Sequence, residues 1–171
     1  YEGTKSCVIA SGVYVGETNC AYGCLGYGDC VVACAFDAIH VDPVLGIAVV
    51  DENKCVGCGT CTKACPRGII EIRPKGKNNR RVYVDCVNTE KGAITMKNCK
   101  VGCIGCQKCL KECPFDAIEM RGTLAYINPD KCKQCRKCVD VCPRGSILAV
   151  NFPPRKPKVE VKEEVNNESK E

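Results

Sequence analysis

The sequence predicts a small α+β fold made of two tandem copies of one unit, and three observations predict it. The chain of 171 residues holds 19 cysteines, above the roughly 8–10% that marks a cross-linked scaffold. Aromatic residues make up only 5% and tryptophan is absent, so packing alone cannot stabilise units this small and metal or disulfides must contribute. The cysteines also repeat. Cys7, Cys20, Cys24, Cys30 and Cys34 recur 79 residues on, at Cys86, Cys99, Cys103, Cys109 and Cys113. Cys55, Cys58, Cys61 and Cys65 recur 77 residues on, at Cys132, Cys135, Cys138 and Cys142. Phe36-Asp37-Ala38-Ile39 returns at 115–118 and Pro66-Arg67-Gly68 at 143–145, the signature of a duplicated segment.

Within each unit the order is Cys-rich loop, short helix, hairpin, second Cys-rich loop, helix, strand. The helices are expected at Cys30–Cys34, Cys61–Cys65, Cys109–Cys113 and Cys138–Cys142. β-branched and alternating residues predict hairpin strands at Ala38–Asp42 and Ile47–Asp51, around a turn at Pro43–Gly46. The matching pair is Ala117–Arg121 and Leu124–Asn128 around Gly122-Thr123, with closing strands expected at Ile69–Arg73 and Ser146–Val150. The first unit then covers 1–79, with motifs at about 15–44 and 45–74 and a basic linker at Arg73–Arg81. The second covers 80–152, with motifs at about 94–123 and 124–152. Residues 153–171 are rich in proline and charge, have no hydrophobic period, and are expected to be disordered.

Three segments, Cys55–Pro66, Cys103–Pro114 and Cys132–Pro143, fit Cys-x2-Cys-x2-Cys-x3-Cys-Pro. This is the run with which bacterial ferredoxins hold [4Fe-4S] clusters, three thiolates on one cluster and the fourth on its neighbour. Two-residue gaps let a tight loop bend around three corners of a cubane, and the fourth cysteine follows one helical turn later. Disulfides fit poorly with an odd cysteine count and such regular runs. Structural zinc uses two Cys pairs separated by a longer loop, not three cysteines within seven residues. The fold class is therefore two tandem bacterial two-[4Fe-4S] ferredoxin-like units, small and cluster-stabilised.

Four [4Fe-4S] clusters are expected. The second takes Cys34, Cys55, Cys58 and Cys61, the third Cys103, Cys106, Cys109 and Cys142, and the fourth Cys113, Cys132, Cys135 and Cys138. The first is irregular. Its segment runs Cys20-Ala-Tyr-Gly-Cys24-Leu-Gly-Tyr27-Gly-Asp-Cys30, so Tyr27 stands where the repeat has Cys106. Cys20 is the nearest substitute, which assigns Cys20, Cys24, Cys30 and, by crossover, Cys65. Ala35 also stands where the other motifs have proline. Cys7, Cys86 and Cys99 are left over. Repetition favours a structural role for Cys7 and Cys86 as small buried side chains, against a ligand in reserve or a reactive thiol. His40, the sole histidine, reads as a hairpin surface residue.

The formal charge of +5 does not point to nucleic acid. Sixteen thiolates and four 2+ cores would bring it to about −3, and no reading motif is present. No apolar run approaches the roughly 18 residues that cross a bilayer, and no catalytic dyad, nucleotide-binding glycine loop or flavin motif appears. The chain is expected to carry electrons and to have no catalytic residues of its own.

The segments CAYGCLGYGDCVVACAFDAIHV and CKVGCIGCQKCLKECPFDAIEM resemble the B component of the Rnf complex, the ion-translocating ferredoxin:NAD+ oxidoreductase of bacterial membranes, in its extended multi-cluster form. The resemblance covers roughly residues 1–152, and CxYGCLGxGDC with the tandem duplication carries it. It implies that reduced ferredoxin donates electrons, and that the chain relays them to other subunits of a membrane complex driving Na+ or H+ transport. It also implies a place on the cytoplasmic face of the membrane. Members usually begin with a membrane anchor and a further cluster module, so the chain reads as the soluble C-terminal part of a longer protein. Lys131, Lys133, Arg136, Lys137 and Arg144 form a basic set that either steers an acidic ferredoxin or offsets cluster charge.

Overall fold

The computed structural model describes residues 2–16 and 19–154; beyond Pro154, the expected disordered tail lies outside the described residues. Helix α1 (Cys7–Ser11) opens the first unit. Its N-terminal N–H groups would be orphaned without a cap, and Asp29 supplies one, accepting from Cys7 N, Val8 N and Ser6 Oγ, each at 2.9 Å. Slight burial works against the ionised carboxylate. The N–H groups of Val8 and Cys7 and the Ser6 hydroxyl outweigh it and hold the Asp29 carboxyl below its usual range. Next come α2 (Asp29–Val32), the hairpin strands β1 (Ile39–Val41) and β2 (Ala48–Val50), and α3 (Thr60–Ala64). A 3-10 turn at Lys77–Asn79 leads into the second unit. That unit contains β3 (Arg81–Val84), α4 (Gly92–Asn98), α5 (Lys108–Glu112), β4 (Ile118–Arg121), β5 (Leu124–Ile127), α6 (Lys137–Asp140) and β6 (Ile147–Val150).

The described strands form three antiparallel pairs, β1–β2, β4–β5 and β3–β6. The hairpins match the expected positions, pairing Ile39 with Val50 and Ile118 with Ile127. The four expected helices are present as one-turn segments, far too short to stand alone in water. They persist because each is bracketed by cysteines of the motif.

Three features differ from expectation. Ile69–Arg73 forms no strand, whereas the second closing strand, β6, pairs with β3 from Arg81↔Val150 to Val84↔Ile147. In the repeat, β3 aligns with Glu2–Lys5, whose Glu-Gly-Thr-Lys lacks the β-branched alternation of Arg-Val-Tyr-Val, so 69–73 has no such ladder. Helices α1 and α4 are additional to the expected set, being short and without a marked apolar stripe.

The stretch Arg73–Arg81 is not a loose tether either. Arg73 reaches Glu71 at 2.7 Å and lies 5.7 Å from the Tyr83 ring and 4.9 Å from that of Tyr126. Lys75 Nζ donates to Glu52 O at 3.0 Å, Arg81 pairs with the Glu52 carboxylate, and Tyr126 OH donates to Glu71 at 3.0 Å. Across another part of the junction Tyr22 OH and Thr89 Oγ1 share a hydrogen bond of 3.1 Å. The linker is thus part of a polar seam joining the units.

Apolar burial is uneven. In the second unit Val82, Val84, Ile118, Ala125, Ile127 and Ile147 pack with Cys109 and Cys138 into one core. In the first, Cys7, Ala10 and Leu25 form a smaller cluster with Tyr14 and Tyr27 against it. No helix among the described residues is long and apolar enough to cross a membrane.

Candidate metal centres

All four Cys-rich loops share one backbone. Around the middle position of each, the flanking residues take positive φ: Gly26 and Gly28 about Tyr27, Gly57 and Gly59 about Cys58, Gly105 and Gln107 about Cys106, Gln134 and Arg136 about Cys135. Alternation of left- and right-handed residues turns successive N–H groups toward one point, a nest that binds anionic sulfur. The irregular first loop keeps this geometry although its middle residue is tyrosine. Gly26 and Gly105 are required for a second reason. A Cβ on Gly26 would lie 2.5 Å from Gly46 O, and one on Gly105 2.6 Å from Thr123 O, so each loop packs backbone to backbone on its own hairpin turn.

Helices α2, α3, α5 and α6 follow the loops and carry the next cysteines across to the neighbouring motif, which brings the thiols together in groups. Cys103, Cys106, Cys109 and Cys142 line one cavity of about 360 Å³ of empty space, partly open to solvent. Cys113, Cys132, Cys135 and Cys138 line another of about 310 Å³. For the second expected set, the Cys61 thiol is raised by burial and by the nearby Cys55, Cys58 and Cys34. Cys24, Cys30 and Cys65 line a third cavity of about 400 Å³ of empty space, partly open to solvent, together with Cys7; Cys20 is not in its wall. Burial raises the Cys86 thiol, and the nearby Cys103 and then Cys20 add to it. The Cys86 sulfur accepts from Cys103 N at 3.4 Å. The Cys99 carbonyl accepts from Arg144.

Electrostatics explain what such groups require. Burial first, then neighbouring thiols, push Cys30 and Cys109 up to about 11 and Cys138 to about 12. Without a cation these thiols stay protonated at neutral pH; iron is the compensating charge that makes four close thiolates tolerable. Among the described residues no three His, Cys, Asp or Glu side chains converge as ligands of a single ion would; the thiols ring wider cavities instead. A [4Fe-4S] cluster fits this donor set of thiolates and inward N–H groups. Arg144 adds to the fit. It lines the third-cluster cavity, and its buried Nε has no acceptor among the described residues.

Arg67 and Arg144 follow the crossover cysteines and reach back to the opposite loop. Arg67 donates to Ala21 O, to Gly23 O at 3.2 Å and to Val15 O at 2.7 Å, just as Arg144 meets Cys99 O. Sequence reasoning missed this pair, although the repeated Cys-Pro-Arg-Gly was the available signal. Arg144 is half-buried, with its guanidinium engaged by the Cys99 carbonyl. Arg136 stacks 4.6 Å from the Phe152 ring and Lys131 sits 3.9 Å from Asp116, while Lys133 and Lys137 edge the fourth-cluster cavity. His40 is exposed on β1 opposite Val49.

Paired, thiol-ringed cavities on nest-forming loops define an iron–sulfur protein, and the chain belongs to the 4Fe-4S dicluster domain family, whose model matches residues 19–69, 54–117 and 102–146. The chain is similar to the B component of the Na(+)-translocating ferredoxin:NAD(+) oxidoreductase complex of Acetobacterium woodii, 44% identical over 150 residues, 86% of this chain and 43% of the relative. It is 41% identical to the B component of the proton-translocating ferredoxin:NAD(+) oxidoreductase complex of Clostridium ljungdahlii, over 88% of this chain and 52% of that protein. It is also 40% identical to the B component of an ion-translocating oxidoreductase complex of Methanosarcina acetivorans, over 86% and 54%. The chain thus spans about half the length of these relatives, and the resemblance carried by CAYGCLGYGDC extends over most of its residues.

Proposed function

We propose that this chain is the electron-relay part of a membrane-bound complex that couples oxidation of reduced ferredoxin to Na+ or H+ translocation, and that it holds four [4Fe-4S] clusters. Four loops of one backbone geometry, grouped by crossover into two pairs, carry the reading. Clusters two, three and four take the sets Cys34/Cys55/Cys58/Cys61, Cys103/Cys106/Cys109/Cys142 and Cys113/Cys132/Cys135/Cys138. The first takes Cys24, Cys30, Cys65 and one thiolate from the stretch ahead of Cys24. When bound, such a cluster supplies one-electron redox chemistry.

The chain's own residues bind, orient and insulate. Cysteine thiolates hold iron, inward N–H groups of the nests stabilise charge on sulfur, and Val82, Ile118, Ile127 and Ile147 exclude water from the second unit. Reduced ferredoxin is the proposed donor, other subunits of the complex the acceptors, and the cytoplasmic face of the membrane the site of work. Similarity to the three translocating-complex proteins supports this placement.

Anaerobically reconstituted protein should bind about sixteen irons and as many sulfides per chain, bleach on mixing with reduced ferredoxin, and give a reduced-cluster EPR signal. Zinc in place of iron, with no such signal, overturns the cluster reading. Normal clusters that reduced ferredoxin cannot reduce overturn the donor.

A further inference from the structure

We infer that the fourth thiolate of the first cluster comes from Cys7 and that Cys20 is not a ligand, an assignment that rests on the four-cluster reading. The two units provide an internal control. In the second, the middle loop position is Cys106, which lines the cavity with Cys103, Cys109 and Cys142, and Cys86 does not line it. In the first, the middle position is Tyr27, which is absent from the wall, and Cys7, the repeat counterpart of Cys86, is present. One unit uses the loop thiol and leaves the upstream thiol spare. The other has lost the loop thiol and draws on the upstream one.

The surrounding structure holds Cys7 in place. It is 8% exposed, at the first residue of α1, with Ala10 and Leu25 packed behind it. Asp29 clamps that end of α1 through three hydrogen bonds and is the residue immediately before Cys30, so one side chain ties Cys7 to a proposed member of the set. Cys7, Cys24, Cys30 and Cys65 all line the one cavity. Cys20, by contrast, is not among the residues that line this cavity. Tyr27 keeps the loop conformation, through Gly26 at φ 75° and Gly28 at φ 81°, and its ring packs against the Cys7 cluster and meets Lys5 at 5.7 Å.

The test compares Cys7→Ala, Cys7→Ser and Cys20→Ala in the reconstituted holo protein by iron and sulfide content and EPR. Cys20→Ala should keep the wild-type content. Cys7→Ala should lose up to a quarter of its iron, or show the signal of a three-iron cluster, while the remaining signals certify a folded chain. Cys7→Ser should retain more iron than Cys7→Ala, because an alkoxide can replace a thiolate. A packing role would reverse that order, since alanine suits a buried apolar site and a hydroxyl does not. Iron loss in Cys20→Ala overturns the inference whatever the other variants do, and so does full iron content in Cys7→Ala. Absence of iron from the wild-type protein would instead overturn the cluster reading itself.

Discussion

Gly105 and Gly122 lie in the same half of the molecule with nearly the same backbone, φ 67° and φ 65°, but in different surroundings. A Cβ on Gly122 meets nothing within 4 Å, whereas one on Gly105 falls 2.6 Å from the carbonyl oxygen of Thr123. Alanine at either site incurs the left-handed penalty of about 1–2 kcal/mol. At Gly105 the loop or the hairpin must also retreat by roughly half an ångström, an overpacking cost of about 1–3 kcal/mol. With about 4–8 °C per kcal/mol for a domain of this size, Gly105→Ala should lose its clusters on the order of 10 °C below Gly122→Ala. The assay is the loss of visible cluster absorbance in anaerobic thermal ramps at one fixed scan rate, because cluster release is irreversible and its midpoint is a rate. Equal midpoints for the two variants would refute the backbone contact. A Gly105→Ala midpoint equal to wild type would refute the loop conformation as well.

Arg67→Ala should accelerate iron release from the first motif while leaving the second unit's clusters in place, because several loop carbonyls lose a cationic donor worth about 1.5–3 kcal/mol per bond; timed chelation with EPR distinguishes the units. Removing all iron should abolish most of the far-UV circular dichroism, since one-turn helices and two-stranded sheets lack independent stability. Partial removal should unfold the first unit ahead of the second, whose core is larger, and hydrogen exchange would show the order. Lys133→Gln with Lys137→Gln should slow reduction by ferredoxin several-fold at low salt, with the difference vanishing at high salt; an effect independent of salt would remove these lysines from any docking face.

The hairpins and the helices after each motif were legible because cysteine spacing and β-branched alternation are local signals. β3 was passed over beside a basic run: Arg81-Val-Tyr-Val carries the strand pattern, but its first residue fell at the end of the expected linker and no strand was expected after it. The missing strand at Ile69–Arg73 was illegible for the opposite reason, since a sound strand pattern needs a partner and Glu2–Lys5 does not supply one. The groupings around Cys103 and Cys113 could be read from spacing alone. The fourth wall of the first cavity could not, because Cys7 reaches it through α1 and the Asp29 clamp, contacts without a fixed spacing. Arg144 read as one of a basic set and Arg67 only as part of a repeated Pro-Arg-Gly, and the structure shows the carbonyls they hold.

The seam built from Arg73, Glu71, Tyr126, Arg81, Glu52, Tyr22 and Thr89 has a kinetic consequence. Two ferredoxins that exchange electrons in solution must first collide, so their exchange slows with dilution and with viscosity. Here the two units are already docked through the polar contacts of the seam. The gap between them is set by the fold, and transfer across it becomes a first-order step indifferent to concentration.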